Sequence, residues 1–347
     1  MQEFSKNDIL KLTLSYFTFL PLTKPFFINF GLTHKCNLRC KICETWKFGL
    51  KEKNVLSLKE LKNLITQISN WDKNINVSFA GGEPLLKKNV LIKCIKHAKS
   101  LGLTTHVTSN GILVDKKTAE ELVTSGLDYL QFSLDGSTPQ TNDYIRGKGV
   151  FKKVMKAIKR IKEAKEKFNS NLKLSLTTVV CDKNLDELLD IVKMVEELGL
   201  YEVSFNPYNV DTSYMLTKDY EKDEFWVKAK NLPKLRKICK ELIKIKKTKG
   251  LVGTPFFMLE MMPIYFEKKR KFNEGLCMAG YSYMYIKPNG EVDVCGKGPS
   301  LNVRNHSLKT IWYSLHFTKT RWKIMNCKRP CLMLCFPRIK LRQVIGL

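Results

Sequence analysis

The stretch that decides the fold is residues 31–46, GLTHKCNLRCKICETW, where Cys36, Cys40 and Cys43 have the spacing C-x3-C-x2-C. Three thiolates this close on one loop converge on a small inorganic cluster, and such soft ligands favour iron–sulfur chemistry. A cubane of four irons held by three cysteines has one iron without a protein ligand. The spacing therefore predicts a cluster that binds a substrate or cofactor directly and takes part in catalysis.

Two other uses of these cysteines are disfavoured. A structural zinc site needs a fourth ligand at finger-like spacing, and the local candidate is His34, on the strand side of Cys36. Disulfides are disfavoured because the N-terminus lacks the ordered charged, apolar and small-residue regions of a secretory signal. Iron–sulfur ligation remains the prediction for the three cysteines.

The chain as a whole has the composition of a globular protein. It has 347 residues, 44% of them apolar and 10% aromatic, which predicts one large domain and a smaller one. Its longest apolar run, from Ile9 to Leu22, contains Lys11 and Pro21 and falls short of the roughly 18–20 residues of a bilayer span. We expect a cytoplasmic protein, with peripheral contact at the inner face of the membrane left open.

The net charge is strongly positive, +27 from 60 Lys and Arg against 33 Asp and Glu. Such a charge attracts anionic partners: nucleic acid, carboxylated or phosphorylated substrates, or an acidic membrane. Lysines such as Lys152, Lys153 and Lys156 are spread along helix faces, and no helix-turn-helix, RRM or zinc-finger pattern occurs. A solvated basic surface is therefore favoured over a nucleic-acid partner.

From residue 26, short apolar runs alternate six times with helical periods. The helix predicted after the first of these strands begins at Ser57, and Ser57 with Glu60 three residues later matches a capping box. Strand–helix alternation predicts an α/β fold of parallel strands joined by right-handed crossovers. The predicted strands are FFINFGLT (26–33), NVSFAGGEP (76–84), TTHVTSNG (104–111), YLQFSLDG (129–136), KLSLTTVV (173–180) and EVSFNPYN (202–209).

Chemically unusual residues recur where these strands end. The segments are Cys36–Cys43, Gly81–Pro84, Ser109–Gly111 and Ser133–Gly136. In parallel sheets the ligand site lies at the C-terminal strand ends. The coincidence supports the parallel arrangement and places the candidate site at one edge of the sheet.

Two changes of composition divide the chain. Residues 253–269, GTPFFMLEMMPIYFEKK, contain two prolines and a Met-rich, aromatic run, and a cysteine-rich region begins at Cys277. We predict an N-terminal amphipathic helix or lid over 1–25, a barrel over 26–255 and a cysteine-rich domain over 256–347. The apolar face predicted for the N-terminal helix either packs on the barrel or contacts an anionic bilayer. This predicted face is Ile9, Leu12, Tyr16, Phe19 and Leu20.

Three motifs in this order closely resemble the radical S-adenosylmethionine (SAM) superfamily. They are C-x3-C-x2-C after the first strand, GGEP at Gly81–Pro84 after the second, and FSLDG at Phe132–Gly136 after the fourth. The resemblance covers about residues 26–210 and implies a partial (β/α)6 TIM-like barrel. It also implies an enzyme that reductively cleaves SAM to a 5′-deoxyadenosyl radical, which abstracts hydrogen from a substrate.

The resemblance implies two cofactors in the barrel, SAM and a [4Fe–4S] cluster, and an electron donor such as a flavodoxin or ferredoxin. Cys36, Cys40 and Cys43 would hold the cluster while SAM chelates the open iron. The alternative is an iron–sulfur scaffold or electron carrier without SAM chemistry. The three-cysteine site beside GGEP disfavours it, because a scaffold needs no open iron.

The same resemblance assigns the SAM contacts. Arg146 would pair with the SAM carboxylate, since its guanidinium matches a carboxylate bidentately. Asp135 would bond the ribose or instead cap the following turn, as Asp before Gly often does. The remaining contacts are Ile42 against the adenine, Gly81, Gly82, Glu83 and Pro84 at the amino group, Ser133 at the ribose, and Asn110 and Asn206 at the ribose or methionyl group.

The C-terminal region resembles the SPASM/twitch class of auxiliary-cluster domains. Cys277, Gly290 thirteen residues on and Cys295 five later match its opening, and KPNGEV at 287–292 predicts a hairpin. The full pattern has seven cysteines and two extra clusters, whereas this region has five. The resemblance therefore implies one auxiliary [4Fe–4S] cluster held by Cys277, Cys295 and two of the last three cysteines, with the spare one undecided. Those three are Cys327, Cys331 and Cys335.

Two substrate classes stay open. Peptide modification is common among SPASM-type relatives, yet only about 25 residues precede the first strand, too few for a separate peptide-recognition domain. A lipid or other membrane-borne substrate is the second class, because the basic, aromatic N-terminus predicts contact with an anionic membrane.

Overall fold

The computed structural model describes residues 5–209, 222–268, 275–327, 331–332 and 338–339. Cys335 lies outside these residues. The strands are β1 (Phe27–Thr33), β2 (Asn76–Gly81), β3 (Thr105–Ser109), β4 (Tyr129–Ser133), β5 (Lys173–Val180), β6 (Val203–Pro207), β7 (Leu276–Cys277), β8 (Tyr283–Ile286), β9 (Glu291–Asp293), β10 (Pro299–Asn302) and β11 (Arg338–Ile339).

The helices connect the strands or pack beside them. Ser57 and Glu60 form the predicted capping box. The helices are α1 (Lys6–Thr18), α2 (Thr45–Gly49), α3 (Leu58–Trp71), α4 (Lys88–Ser100), α5 (Lys116–Thr124), α6 (Pro139–Arg146), α7 (Val150–Lys167), α8 (Leu188–Glu197), α9 (Leu232–Lys249), α10 (Phe256–Lys268), α11 (Ala279–Ser282), α12 (Leu308–Tyr313) and α13 (Leu315–Met325).

Strands β1 to β6 lie side by side in sequence order and are all parallel. This confirms the six predicted strand–helix units. Burial alternates most clearly along β2, β3 and β4: Val77 and Phe79 of β2 are fully buried, whereas Asn76 and Ser78 are half-buried. One face of the sheet is therefore packed beneath helices, and the other lines the interior of an unclosed, partial barrel.

The C-terminal region extends the same sheet. β8 pairs in parallel with β1, from Phe27 opposite Tyr283 to Phe30 opposite Ile286, and β9 and β10 continue outward antiparallel. The boundary at residue 255 between the barrel and the cysteine-rich domain stays a prediction. In α10, which follows that boundary, Tyr265 and Phe266 pack on Trp226 of the barrel core.

Helix α1 packs on the C-terminal region, against α11 and the residue that precedes it. Leu12 is fully buried against Met278 and Tyr281, with Ile9 and Tyr16 partly buried beside them. Three residues of the predicted apolar face, Ile9, Leu12 and Tyr16, thus make an internal contact with Met278 and Tyr281. The prediction was wrong for Leu20, which follows the helix and is 60% exposed. None of the helices in the described ranges combines the length and apolar character that a bilayer crossing requires.

Candidate functional site

The three cysteines of the motif lie on the loop between β1 and α2, at the C-terminal edge of the parallel sheet. Backbone hydrogen bonds fix this loop: Lys41 N donates to Ile145 O at 2.9 Å, and Cys43 N donates to Cys40 O at 3.2 Å. Cys36, Cys40 and Cys43 are all half-buried. Parallel strand ends, as predicted, present the cysteines on one side of the barrel mouth.

Burial dominates the protonation of Cys36 and Cys40. It raises the pKa of Cys36, and it raises the pKa of Cys40 to about 11, although Arg146 acts in the opposite direction. The thiol of Cys43 adds to both shifts by charge repulsion, so the three sulfurs lie within one another's electrostatic reach. A bound cation is what would let all three ionise together.

Gly81 and Gly82 allow the cysteine loop to cross directly over the end of β2. Gly82 N donates to Thr33 O at 2.7 Å, and Glu83 N donates to Lys35 O at 2.9 Å. A Cβ on Gly81 would overlap the Thr33 carbonyl, and one on Gly82 would overlap the Lys35 carbonyl. These glycines are therefore required for the close approach of two backbones immediately before Cys36.

The carboxylate of Glu83 ties β2 to β3. It is fully buried and accepts hydrogen bonds from Leu85 N at 3.0 Å, Ser109 Oγ at 2.8 Å and Asn110 N at 2.8 Å. Burial raises the pKa of Glu83, and the three donors oppose that shift. Since a carboxylate has about four acceptor positions, about one remains for an external donor such as an ammonium group.

Asn110 reaches the cysteine loop from the end of β3. Its Nδ2 lies 2.7 Å from Asn37 Oδ1 and 3.8 Å from Cys36 Sγ, and its Oδ1 accepts from Ile112 N at 3.0 Å. A second donor, Leu38 N, lies 3.4 Å from the same sulfur. Donors aimed at a cysteine sulfur are the contacts that tune a thiolate-bound cluster.

Arg146 lies beside the cysteines and is buried with an acidic partner. Its Nε is 2.7 Å from Asp135 Oδ2 in an ion pair, and its backbone oxygen lies 3.7 Å from Cys40 Sγ. Asp135 is fully enclosed, and its Oδ1 accepts from Val179 N at 2.7 Å. Asp135 thus has partners inside the protein, where the sequence had suggested a ribose or the following turn.

Neutral polar side chains line the interior of the partial barrel. Asn206 Nδ2 donates to Thr177 Oγ1 at 3.2 Å, and Asn29 Nδ2 donates to Tyr283 Oη at 3.0 Å. The buried Asn29 Oδ1 has no hydrogen-bond partner among the described residues. Half-buried hydroxyl and amide groups recur on this face in Ser78, Thr108, Gln131, Ser133, Thr177 and Asn206.

A second group of cysteines gathers in the C-terminal region. Cys277 lies in β7, Cys295 follows β9 in a left-handed conformation (φ 55°), and Cys327 follows α13. Burial raises the pKa of Cys295 well above its ordinary value, and Cys277, Cys331 and Cys327 raise it further. Cys277, Cys327 and Cys331 therefore lie within electrostatic reach of Cys295.

Within the described ranges, no three His, Cys, Asp or Glu side chains already stand at metal-ligand distances. The fit to iron–sulfur clusters depends instead on the donor sets. Each is made wholly of thiols, three in the loop after β1 and four in the C-terminal group, and soft thiolates are the ligands that such clusters take.

Comparison with known proteins agrees with this geometry. Residues 31–195 match the family described as the radical SAM superfamily, and residues 277–336 match an iron-sulfur cluster-binding domain, SPASM. The chain belongs to the radical SAM superfamily. Its barrel therefore binds SAM and a [4Fe–4S] cluster, and its SPASM domain binds auxiliary iron–sulfur.

Relatives of this radical SAM chain differ in what they make. An AdoMet-dependent heme synthase of Methanosarcina barkeri is 25% identical, matching 83% of this chain and 82% of its own length. The PqqA peptide cyclase of Bradyrhizobium diazoefficiens is 24% identical, matching 88% and 78%. The crystal structure of Streptococcus suis SuiB bound to S-adenosylmethionine shares the fold, with TM-score 0.66, 18% identity, and coverage of 91% and 73%.

The radical SAM fold brings most predicted site residues to one edge of the sheet. Asn110 and Arg146 flank the cysteines, and Ser133 and Asn206 face the barrel interior. Ile42 and Pro84 are buried, Ile42 within the main apolar core. The sequence analysis assigned no role to Ser109 or Asn37, although both lie in the strand-end segments that it singled out. The only available signal was their position at a strand end and beside a cysteine.

Proposed function

We propose that this radical SAM enzyme abstracts a hydrogen atom from a peptide. When bound and reduced, the [4Fe–4S] cluster would supply the one electron that cleaves SAM to methionine and a 5′-deoxyadenosyl radical. On taking the hydrogen atom, this radical would become 5′-deoxyadenosine, and the unpaired electron would be left on the peptide. The electron comes from a small carrier such as a flavodoxin or ferredoxin.

In this proposal Cys36, Cys40 and Cys43 hold the cluster, and Arg146 binds the SAM carboxylate. The Asp135 side chain orients Arg146, which the 2.7 Å ion pair supports. The backbone at Gly81 and Gly82, with the remaining acceptor position of Glu83, receives the SAM amino group. Glu83 is suited to this because its other acceptor positions are filled by the protein.

We assign the auxiliary cluster to Cys277, Cys295, Cys327 and Cys331. The electrostatic influence of Cys277, Cys327 and Cys331 on Cys295 supports the assignment, and the proposal leaves Cys335 as the spare cysteine. The auxiliary cluster lies in a domain whose strand β8 pairs directly with β1. The two cluster sites are thus connected through one continuous sheet.

The observation that supports a peptide is the chemistry of the barrel interior. Amide and hydroxyl groups from β1 to β6 line it, and they can pair with the amides of a peptide. An acyl chain would leave the groups that lack a protein partner, such as Asn29 Oδ1, desolvated and unpaired, which costs roughly 1–3 kcal/mol for each. A lipid substrate is therefore disfavoured within the barrel.

The test of SAM chemistry is reductive cleavage by anaerobically reconstituted protein, measured as 5′-deoxyadenosine by mass spectrometry. The triple variant C36A/C40A/C43A should form none, whereas C94A, which removes a fully buried cysteine of α4, should match the wild type. Cleavage by the triple variant under dithionite would refute the assignment of the cluster.

The substrate is tested by deuterium transfer. The first step is to search the neighbouring genes for one that encodes a short peptide. Such a peptide, made with deuterated side chains, should transfer one deuterium to 5′-deoxyadenosine. An iron porphyrin and a phospholipid serve as parallel substrates. Deuterium transfer or product formation from either of them, with none from the peptide, would contradict the peptide assignment while leaving SAM cleavage intact.

A further inference from the structure

The side chains on the outside of the cysteine loop have no part in the SAM site described above. Arg39 and Lys41 flank Cys40 in the sequence, and both side chains are exposed. Because the two residues are two positions apart, their Cα atoms are at most about 7.6 Å apart. They therefore occupy one short stretch of the surface, immediately beside a cysteine of the motif.

A tryptophan holds the arginine against this loop. Arg39 Cζ lies 4.7 Å from the centre of the Trp46 ring, and Trp46 Nε1 donates to Cys43 O at 3.1 Å. Arg39 Nη1 also donates to Cys36 O at 2.7 Å and to Leu38 O at 2.9 Å. The guanidinium is thus connected, directly or through one ring, to the backbone of two of the three cysteines.

Apolar and aromatic side chains adjoin these cations. Leu50, just after α2, is 72% exposed and lies one helical turn after Trp46. Lys41 Nζ lies 3.4 Å from the centre of the exposed Tyr144 ring, and Lys41 N donates to the carbonyl of the next residue, Ile145. Aromatic residues and arginine are enriched at protein interfaces. We give the name outer loop surface to Arg39, Lys41, Trp46, Leu50 and Tyr144.

The acidic residues of the loop are already engaged. Residues 34–53 contain six Lys or Arg and two Glu. Glu44 Oε1 lies 2.7 Å from Lys47 Nζ, and Glu52 accepts a hydrogen bond from Thr33 Oγ1 at 2.8 Å. Both carboxylates therefore have partners other than the cations of the outer loop surface.

Those cations keep their charge. Arg39 and Lys41 form no ion pair within 4 Å among the residues that the structure describes. Glu224, which accepts from Tyr144 Oη at 2.5 Å, is itself paired with Lys183 at 3.3 Å. A partner that fits the outer loop surface must therefore present carboxylates around an apolar centre.

We propose that the outer loop surface docks a small acidic one-electron carrier protein, a flavodoxin or a ferredoxin. The inference rests on the function proposed above, because that function requires an electron for the cluster that this loop would hold. The carrier loses one electron and the cluster gains it, and no bond or proton is exchanged.

Two observations select this occupant. Electron transfer slows steeply with distance, and Arg39 and Trp46 are bonded to the backbone of Cys36 and Cys43, so a carrier seated on them is close to the cluster ligands. Opposite charges also speed the encounter of two proteins that meet only briefly. The peptide substrate is a poorer occupant, because its reacting carbon must reach the barrel interior.

The test is calorimetric binding of an oxidised flavodoxin, and separately of a ferredoxin, to the reconstituted full chain at low and high salt. R39Q/K41Q should raise the Kd about tenfold, and R39K/K41R, which keeps both charges, should retain most of the affinity. K93Q/K96Q is the matched control, since it removes the same charge from two exposed lysines of α4 and should bind like the wild type.

The second readout compares two reductants. R39Q/K41Q should slow 5′-deoxyadenosine formation driven by reduced flavodoxin, at a carrier concentration below Kd, about tenfold, and should leave the dithionite-driven rate and the iron content unchanged. Equal losses of binding in R39Q/K41Q and K93Q/K96Q would reduce the effect to net charge and overturn the proposal. Absence of binding of both carriers at low salt would overturn it as well.

Two further outcomes are kept apart from these. If R39Q/K41Q loses iron, the single variant K41Q decides, because the Lys41 ammonium lies on the Tyr144 ring and not on the cysteine backbone; K41Q should raise the Kd about threefold, and wild-type affinity would overturn the proposal. If the wild type cleaves no SAM with dithionite, the proposed function fails, whereas the binding data still test the docking surface.

Discussion

Arg146 and Asp135 form a buried ion pair with Nε and Oδ2 2.7 Å apart, directly beside Cys40. The Asp135 side chain is fully enclosed, and that of Arg146 is 10% exposed. Removing one member of such a pair leaves an uncompensated buried charge. The pair therefore fixes a guanidinium at the edge of the cysteine loop, and the position of that guanidinium suits a carboxylate ligand.

The first prediction concerns this guanidinium. R146K keeps a positive charge but loses the planar fork, so we expect the KM for SAM to rise by about tenfold or more. R160K is the control, because Arg160 lies on α7 and bonds the Val114 carbonyl. Steady-state 5′-deoxyadenosine formation gives the KM for SAM of both variants. If R146K lowers thermal stability with no change in the KM for SAM, Arg146 is a structural residue.

The second prediction concerns the crossing of the cysteine loop over β2. In G82A the new Cβ would overlap the carbonyl oxygens of Lys35 and His34, so the segment entering Cys36 must shift. We expect loss of the barrel cluster, seen as about four fewer irons per chain, with the protein still folded.

G199A is its control. Gly199 has φ 60° and nothing within 4 Å of the added Cβ, so this variant carries only the backbone strain of about 1 kcal/mol. Full iron content in G82A, or equal iron loss in both variants, would contradict the role given to Gly82.

The six barrel strands could be predicted from sequence because each is a short apolar run with a turn signal and a helical period after it. Partners distant in sequence could not be predicted. The parallel pairing of β8 with β1 joins residues about 250 positions apart and has no local signature. It therefore appears only in the structure.

The site residues also differ in whether a local sequence pattern marks them. Cys36, Cys40 and Cys43 are marked by spacing, whereas the enclosure of Asp135 depends on packing by β5 and α6. On α1 the periodicity predicted the face that contains Ile9, Leu12 and Tyr16, but it could not say which part of the chain covers that face. The structure buries Leu12 and leaves Phe17 exposed, because the contact surface comes from α11, far along the chain.

The third prediction identifies the auxiliary ligands. Wild-type protein should contain about eight irons after anaerobic reconstitution, and alanine at any one of the four assigned cysteines should lower this to about four. C335A should retain about eight. Iron and sulfide analysis of each variant measures its cluster content. If C331A retains its iron and C335A loses it, then Cys335 is the ligand and Cys331 is the spare cysteine. A wild-type iron content near twelve per chain would refute a single auxiliary cluster. The four assigned residues are Cys277, Cys295, Cys327 and Cys331.

The last prediction concerns a surface ion pair that fastens the C-terminal hairpin to α3. Arg304 Nε lies 2.5 Å from Glu60 Oε1, and the same guanidinium donates to Asn289 O at 2.9 Å and to Asn54 O at 3.1 Å. Hydrogen bonds from Arg304 and Ser57 lower the pKa of Glu60 from 4.5 to about 2. Since the folded pKa lies below the ordinary value, the stabilisation is present above pH 4.5 and is lost as pH falls through 2.

The substitution E60Q should therefore lower the free energy of unfolding by the same amount at pH 6 and pH 8. We expect a loss of about 0.5–1 kcal/mol in the free energy of unfolding, because the pair is one-third exposed and screened by solvent. E163Q is the matched control, since Glu163 is 59% exposed and lies 3.9 Å from Lys159; its effect should be near zero. Denaturant unfolding of the reconstituted protein measures both variants. A cost that differs between pH 6 and pH 8, or equal costs in E60Q and E163Q, would show that Glu60 does not fasten the hairpin.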